Sequence, residues 1–236
     1  MNRASTPAKR PGGELAARPL HFIFVCDCSG SMQTDGKIQS LNNAIKEAIP
    51  HMQKAASENP NAQVLVRALR FSDGAQWHVG QPTPVEDFRW TDLSAEGLTD
   101  LGRAIAMITE QLQIPPMSER ALPPVLVLIS DGQPTDDYAR AIRELMALPW
   151  GKRSVRIAIA IGEDADHHCL RQFVANPEIP VLQANNAESL VNYIRWASTA
   201  VLKAASAPAS TPNAGAAGIP IPAPLPGTPD PALDVW

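Results

Sequence analysis

Phe22-Ile23-Phe24-Val25-Cys26 is a continuous apolar run, and Asp27-Cys28-Ser29-Gly30-Ser31 follows it directly. A short run of apolar residues, rich in β-branched and aromatic side chains and bounded by a turn, predicts a buried central strand. The Asp27 carboxylate and the hydroxyls of Ser29 and Ser31 then stand at alternate positions in a turn that contains Gly30. Hard divalent cations such as Mg²⁺ prefer oxygen ligands of this kind. The stretch therefore predicts a metal-binding loop between a strand and a helix.

The spacing of Asp27, Ser29 and Ser31 resembles the metal-ion-dependent adhesion site (MIDAS) of the von Willebrand factor A domain family. Two further residues belong to the same pattern, Thr99 in a Gly-Leu-Thr sequence and Asp131 in a Ser-Asp-Gly sequence. The resemblance implies a Mg²⁺ ion, with Mn²⁺ and Ca²⁺ as alternatives, faced by Ser29, Ser31 and Thr99. It also implies that Asp27 and Asp131 hold the ion's waters, which leaves one position open for a carboxylate of a partner protein.

A simpler interpretation of the loop is also available from the residues. Asp27 and the two serines would then only cap the helix that follows, a role in which such side chains are common. The Asp-x-Ser-x-Ser spacing alone does not separate the two interpretations. Thr99 and Asp131, at the ends of their own predicted elements, favour the metal site.

Strand and helix patterns alternate along the whole middle of the chain. Further strands are predicted at 64–71, 76–79, 124–129, 155–161 and 181–182, and helices at 38–52, 100–112, 138–148, 170–174 and 190–201. This alternation predicts a doubly wound, Rossmann-like α/β sheet that is mostly parallel and has helices on both faces. The turn at Ser72-Asp73-Gly74 predicts a hairpin and hence one antiparallel edge strand. Pro82 and Pro84 predict a loop from there to Thr99.

Composition divides the chain into three parts. Residues 1–19 combine Pro, Gly, Ala and basic residues without a period and predict a disordered arm. Residues 20–203 form the predicted von Willebrand A domain. Residues 204–236 are rich in Pro and Ala and predict a disordered tail that carries Leu233-Asp234-Val235-Trp236.

The bulk composition excludes several classes of function. A net charge of −4 gives no reason to expect a nucleic-acid partner. The three cysteines do not form a disulfide framework, and no segment approaches the roughly 18 apolar residues of a membrane helix. The first residues lack the apolar region of a secretion signal. We therefore expect a cytoplasmic protein without a membrane partner.

The run 131–137, Asp-Gly-Gln-Pro-Thr-Asp-Asp, is similar to the stand-alone bacterial von Willebrand A proteins of tellurium-resistance and stress-response operons. The similarity extends over roughly 21–203. It implies a protein kinase and a PP2C-type phosphatase as partners, because such proteins are encoded beside this group.

Together these features predict a non-catalytic adaptor that binds a partner carboxylate through Mg²⁺ in a bacterial stress or defence system. Two other hypotheses stay open at this point. One is a Mg²⁺-dependent hydrolase that uses Asp131 or Asp27 as its base. The other is a passive scaffold whose C-terminal tail is the recognition element. In a combined version, Asp234 or the terminal carboxylate of Trp236 enters the metal site of the same or a neighbouring molecule, as an inhibitor or an assembly hook.

Two other motifs are weaker. The run 97–103 has the glycine spacing of a phosphate-binding loop, but Arg103 and Ala104 stand where that loop needs Lys and a hydroxyl. The sequence His167-His168-Cys169 resembles a soft-metal cluster without an evident fourth ligand, and an exposed helix start is the preferred interpretation.

Overall fold

The computed structural model describes residues 17–131, 133–163 and 165–206, and a six-stranded sheet lies at the centre of this part of the chain. The strands are β1 (Arg18–Asp27), β2 (Ala62–Ser72), β3 (Gly74–Pro84), β4 (Val125–Ser130), β5 (Val155–Ile161) and β6 (Leu182–Ala184). Their order across the sheet is β3-β2-β1-β4-β5-β6. Every neighbouring pair is parallel except β2 with β3. The predicted doubly wound sheet with one antiparallel edge strand is confirmed.

Helices connect the strands on both sides of the sheet. They are α1 (Lys37–Ser57), α2 (Leu101–Gln111), α3 (Tyr138–Ala147), α4 (Pro149–Arg153), α5 (His167–Val174), α6 (Ala187–Trp196) and α7 (Leu202–Ser206). A 3₁₀ segment, Gly30–Gly36, precedes α1, and a π-helical turn, Ala197–Val201, joins α6 to α7. Side-chain caps begin several of these helices. Asp137 accepts a hydrogen bond from Arg140 N at the start of α3, and Asn186 forms a capping box at the start of α6.

The sheet separates two hydrophobic cores. Alternate residues of β1 point to opposite faces, so that Phe22 and Phe24 pack with α1 and α6, whereas Ile23 and Val25 pack with α2, α3 and α5. All six residues of β4 are buried. Burial on both faces explains why β1 and β4 are continuous apolar runs instead of alternating ones.

The edge strand β3 is longer than the sequence predicts. The expected loop at Pro82 and Pro84 is wrong, because both prolines lie in β3, which pairs with β2 as far as Pro84 opposite Leu65. Proline cannot donate to a sheet ladder, but an edge strand tolerates it because one side of the strand has no neighbour. The pairing is also irregular near Ala68. The loop toward Thr99 therefore starts only after Pro84.

Element boundaries differ from the predicted ones by a few residues. Strand β1 begins at Arg18, ahead of the apolar run 22–26, and α7 extends to Ser206, beyond the predicted helix end at 201. The short helix α4 was not predicted. The rest of the predicted arm, 1–16, and of the predicted tail, 207–236, lie outside the described residues. None of the helices in the described ranges is long and apolar enough to cross a bilayer.

Candidate metal centre

The two central strands β1 and β4 end at the same edge of the sheet and deliver a carboxylate each. Asp27 is the last residue of β1, and Asp131 follows directly after β4. The chain that leaves β1 forms α1 on one face, whereas the chain that leaves β4 forms α3 on the other. A crevice opens where neighbouring parallel strands send their connections to opposite faces, and ligands of open α/β sheets bind there. Asp27 and Asp131 lie at this switch point.

The Asp27 carboxylate is fully buried and is held by two hydrogen bonds. Its Oδ1 accepts from the backbone N–H of Ser29 at 2.8 Å, and its Oδ2 accepts from the hydroxyl of Ser130 at 2.5 Å. Burial, together with the nearby charge of Asp131, raises the pKa of Asp27 to about 6. The environment of Asp27 in the absence of a cation thus disfavours its negative charge.

The Asp131 carboxylate is buried, and the described residues give it no hydrogen bond. Neither of its oxygens is exposed, and neither has a hydrogen-bond partner among the described residues. A buried carboxylate without a partner is unfavourable by several kcal/mol unless a cation or donors neutralise it. Two buried carboxylates side by side, one of them without a partner, are the electrostatic environment that a divalent cation stabilises.

The hydroxyls of Ser29 and Ser31 lie 2.9 Å apart. Ser29 is buried, whereas Ser31 is exposed at the start of the 3₁₀ segment. This pair therefore forms the solvent-facing side of the centre, where a ligand from outside has access.

The Thr99 loop is joined to the other two segments by backbone contacts. Gly30 N donates to Gly97 O at 2.9 Å. Thr99 N donates to Thr135 Oγ1 at 3.2 Å, and Thr135 N donates back to Thr99 O at 2.9 Å. Thr99 is itself buried. All three chain segments that the sequence predicted are thus linked at one edge of the sheet.

Several residues that support this edge were missed in the sequence. Asp73 Oδ1 accepts from Leu98 N at 2.9 Å, and a Cβ placed on Gly97 would lie 2.5 Å from Asp73 Oδ2. Gly97 has φ +80°, a conformation that favours glycine. The sequence predicts only a turn at Asp73. The turn sequence itself gives no indication of the hydrogen bond across 25 residues.

A second aspartate explains the glycine spacing that resembles a phosphate-binding loop. Asp136 accepts from Gly102 N at 2.8 Å and from Arg103 N at 2.9 Å, and so caps the start of α2. A Cβ on Gly102 would lie 2.8 Å from this carboxylate. Gly102 therefore makes room for a carboxylate of the chain itself.

The other candidate residues are engaged elsewhere. Cys28 is buried, and burial together with the Asp27 charge raises the pKa of its thiol to about 12. His167 Nε2 lies 2.6 Å from Gln183 Oε1, and Cys169 is fully buried. Within the described ranges, no three or more His, Cys, Asp or Glu side chains form a group able to hold a metal. The edge described above instead combines two carboxylates with hydroxyls. The assignment of Asp27, Ser29, Ser31, Thr99 and Asp131 as ligands stays a prediction.

Comparison with known proteins identifies the domain type. The model of the von Willebrand factor type A domain family matches residues 22–195. A search of curated proteins found no significant match.

Solved structures share the fold at low sequence identity. A von Willebrand factor type A protein from Catenulispora acidiphila is 20% identical with a TM-score of 0.59, over 78% of this chain and 42% of that one. Proximal thread matrix protein 1 from the mussel byssus, with a zinc-occupied MIDAS motif, is 16% identical with a TM-score of 0.56, over 78% and 47%. The manganese-loaded TRAP protein of Plasmodium vivax is 18% identical with a TM-score of 0.52, over 75% and 74%. The chain thus spans less than half the length of the first two.

Proposed function

The chain belongs to the von Willebrand factor type A domain family, and on that premise we propose that it is a non-catalytic module that binds a protein partner through Mg²⁺. Ser29, Ser31 and Thr99 would face the ion, and Asp27 and Asp131 would hold its waters. When bound, the ion supplies a positive charge with one exchangeable position, which a carboxylate oxygen of the partner fills.

The observation that carries the proposal is the buried Asp131 carboxylate, which has no hydrogen-bond partner within the described ranges. Residues of the fold satisfy Asp27 through Ser29 and Ser130, but the described residues supply nothing equivalent for Asp131. A buried group in this condition requires a partner, and a bound cation is one. Two carboxylates beside hydroxyls favour a hard, oxygen-binding cation.

The ion could be Mg²⁺, Mn²⁺ or Zn²⁺. Zinc occupies the MIDAS motif of the mussel byssus protein, and the Plasmodium vivax TRAP protein is loaded with manganese. Mg²⁺ is the ion we propose for this chain. It is typically bound by one or two carboxylates and keeps several waters, and this centre offers two carboxylates together with neutral hydroxyls.

Protein binding rather than chemistry is supported by the lack of an activated nucleophile near the centre among the residues that the structure describes. The thiol of Cys28 is close to Asp27, but it is 1% exposed and its raised pKa keeps it protonated. The Ser130 hydroxyl donates to Asp27 and is fully buried. The Ser31 hydroxyl is exposed to solvent, and we assign it to the ion.

The sequence similarity described above adds a finer proposal. The partner would be a component of a bacterial stress-response or tellurite-resistance system, in the cytoplasm, with a protein kinase or a PP2C-type phosphatase as a candidate. A carboxylate on the surface of such a partner would complete the coordination of the ion.

Retention of proteins from a native lysate on the immobilised chain tests this proposal. We expect one set of proteins to be retained in Mg²⁺ and lost in EDTA. The double variant Ser29→Ala with Ser31→Ala should retain none of that set. An identical set on both proteins, with and without EDTA, would contradict the proposal.

An activity assay on the purified chain tests the alternative hypothesis that the protein is an enzyme. Turnover of generic phosphoester or peptide substrates in Mg²⁺ that disappears in Asp27→Ala would favour a hydrolase. We expect no such turnover.

A further inference from the structure

A large apolar side chain is exposed to solvent beside the candidate metal centre. Leu98 is 57% exposed and lies next to Thr99. Among the described residues, Leu98 and Ile114 are the large hydrophobic side chains that stay exposed. Ile114 follows α2 at its far end, away from the metal edge.

The outward position of Leu98 is fixed by the backbone. Its N–H donates to Asp73, the preceding carbonyl of Gly97 accepts from Gly30, and Thr99 on the other side is tied to Thr135. A loop that is pinned at three consecutive residues cannot turn the Leu98 side chain inward without losing these bonds. An apolar side chain presented so rigidly next to a cation site is suited to a ligand that combines a carboxylate with an apolar neighbour.

The C-terminal part of the chain has a sequence of this composition. Residues 207–236 hold two acidic residues, Asp230 and Asp234. Asp230 stands between Pro229 and Pro231, whereas Asp234 stands between Leu233 and Val235 and is followed by Trp236. Asp234 is thus the acidic residue of this segment that has large apolar side chains on both sides.

The length of the intervening chain allows an intramolecular contact. The described part ends at Ser206, whose hydroxyl accepts a hydrogen bond from Asn59, just before β2. Ser206 therefore lies at the edge of the sheet opposite to the metal centre, and the ten residues of β1 separate the two edges by about 33 Å. Residues 207–232 span at most about 90 Å when fully extended. Asp234 can reach the centre around the outside of the domain.

We propose that Leu233–Trp236 docks on the metal edge of its own chain, with the Asp234 carboxylate at the open position of the ion and its apolar neighbours against Leu98. This inference rests on the proposed function, because it uses the same open position. The segment then competes with the partner carboxylate, and a partner binds only when it displaces the segment.

Fluorescence anisotropy of a peptide probe tests the docking in the full chain. The probe is residues 229–236 with a fluorescein label at its N-terminus, titrated with wild type, Asp234→Asn and Asp230→Asn in Mg²⁺. A tether of this kind corresponds to an effective concentration of about 1 mM, so a contact with a Kd of about 0.1 mM would be occupied about ten to one. We expect Asp234→Asn to bind the probe about tenfold more tightly than wild type, and Asp230→Asn to bind like wild type.

Two further variants, each made in the Asp234→Asn chain, test the role of Leu98. Leu98→Ser should weaken probe binding severalfold, whereas Ile114→Ser, which changes the other exposed apolar side chain, should leave it unchanged. EDTA should abolish probe binding to the Asp234→Asn chain. Equal probe affinity for wild type, Asp230→Asn and Asp234→Asn would overturn the proposal.

Two controls separate this inference from the proposed function and from docking between copies. Calorimetric uptake of Mg²⁺ by the Asp234→Asn chain without probe binding would overturn the inference alone. If that chain takes up no Mg²⁺, the proposed function fails with it. A wild-type oligomer that dissociates in Asp234→Asn, seen by sedimentation velocity, would overturn the intramolecular contact in favour of docking between copies.

Discussion

Ser130 Oγ donates a 2.5 Å hydrogen bond to Asp27 Oδ2, whereas Asp131, the next residue along the chain, has two buried carboxylate oxygens without a hydrogen-bond partner among the described residues. Asp27 and Asp131 lie at the ends of β1 and β4, and within the described part of the chain only the Asp27 carboxylate accepts hydrogen bonds. This asymmetry is the basis for the metal centre, because a cation between the two would neutralise both.

Asp131→Asn should separate metal binding from fold stability. Without Mg²⁺, the variant should unfold at a higher temperature than wild type, because it removes an unpaired buried charge. With Mg²⁺ at about 100 times its Kd, wild type should gain about 2.7 kcal/mol, or a rise in Tm of about 5 to 10 °C. The variant should gain nothing. Thermal unfolding with and without Mg²⁺ measures both effects.

The control for that experiment is Glu119→Gln, which removes an exposed acidic residue at a distance from the centre. It should keep the full response to Mg²⁺. If Asp131→Asn still showed the wild-type response, Asp131 would not belong to the centre.

Ser130→Ala should weaken Mg²⁺ binding although Ser130 is not among the predicted ligands. Its hydroxyl orients Asp27, and loss of such a supporting hydrogen bond typically lowers metal affinity by about 10- to 100-fold. Isothermal titration calorimetry measures the change. Ser198→Ala is the matched control, because Ser198 is also fully buried but its hydroxyl has no partner among the described residues. An unchanged affinity in Ser130→Ala would show that Asp27 needs no such support.

Gly97→Ala should lower the free energy of unfolding by more than the positive φ of this residue alone would cause. Both Gly97 and Gly74 have φ near +80°, and alanine in this conformation is unfavourable by about 1 to 2 kcal/mol. Only Gly97 has a neighbour in the way, because its new Cβ would lie 2.5 Å from Asp73 Oδ2, whereas nothing lies within 4 Å at Gly74. Overpacking of this kind adds about 1 to 3 kcal/mol.

Urea unfolding of the two glycine variants measures this difference. Gly97→Ala should also lose Mg²⁺ affinity, since Thr99 is two residues away, whereas Gly74→Ala should keep it. Equal loss of stability in both variants would mean that the contact with Asp73 is not tight.

His21 predicts a pH dependence of stability that is independent of the metal centre. Burial, and to a lesser extent the charge of Arg67, lowers the pKa of His21 from its usual 6.5 to about 4. His21 of the unfolded chain therefore binds a proton near pH 6.5, whereas His21 of the folded chain binds one only near pH 4. The free energy of unfolding should fall by about 1.5 kcal/mol between pH 6.5 and pH 5 from this residue alone.

Denaturant unfolding of wild type and His21→Gln at the two pH values isolates this contribution. The variant should lose about 1.5 kcal/mol less than wild type over the same interval. Parallel pH profiles would show that His21 becomes protonated in the folded state at its ordinary pKa.

The parts of the fold that depend on local sequence could be predicted. The apolar run before Asp27 and the alternation of strands with helices follow from periodicity and burial, which each segment displays by itself. The hairpin after Ser72 follows from its turn residues. The length of β3 was missed because Pro82 breaks a strand unless that strand lies at an edge, and the position in the sheet is not visible in a short segment.

The meeting of the three predicted segments at one sheet edge could be predicted from the sequence, but the hydrogen bonds that support them could not. Asp27, Ser29 and Ser31 share one loop with a distinctive spacing, but Ser130, Asp73 and Asp136 act on residues 25 to 103 positions away. Such hydrogen bonds depend on how the loops meet at the sheet edge. An aspartate that caps a distant backbone N–H has no sequence pattern that distinguishes it from any turn aspartate.

The measurement that tests the central claim most directly is the anomalous difference map of a crystal of the chain soaked in Mn²⁺. The account predicts one strong peak at the ends of β1 and β4, within about 2.5 Å of the hydroxyls of Ser29 and Ser31. No peak there at saturating Mn²⁺, or a peak only at another position such as His167 and His168, would contradict it.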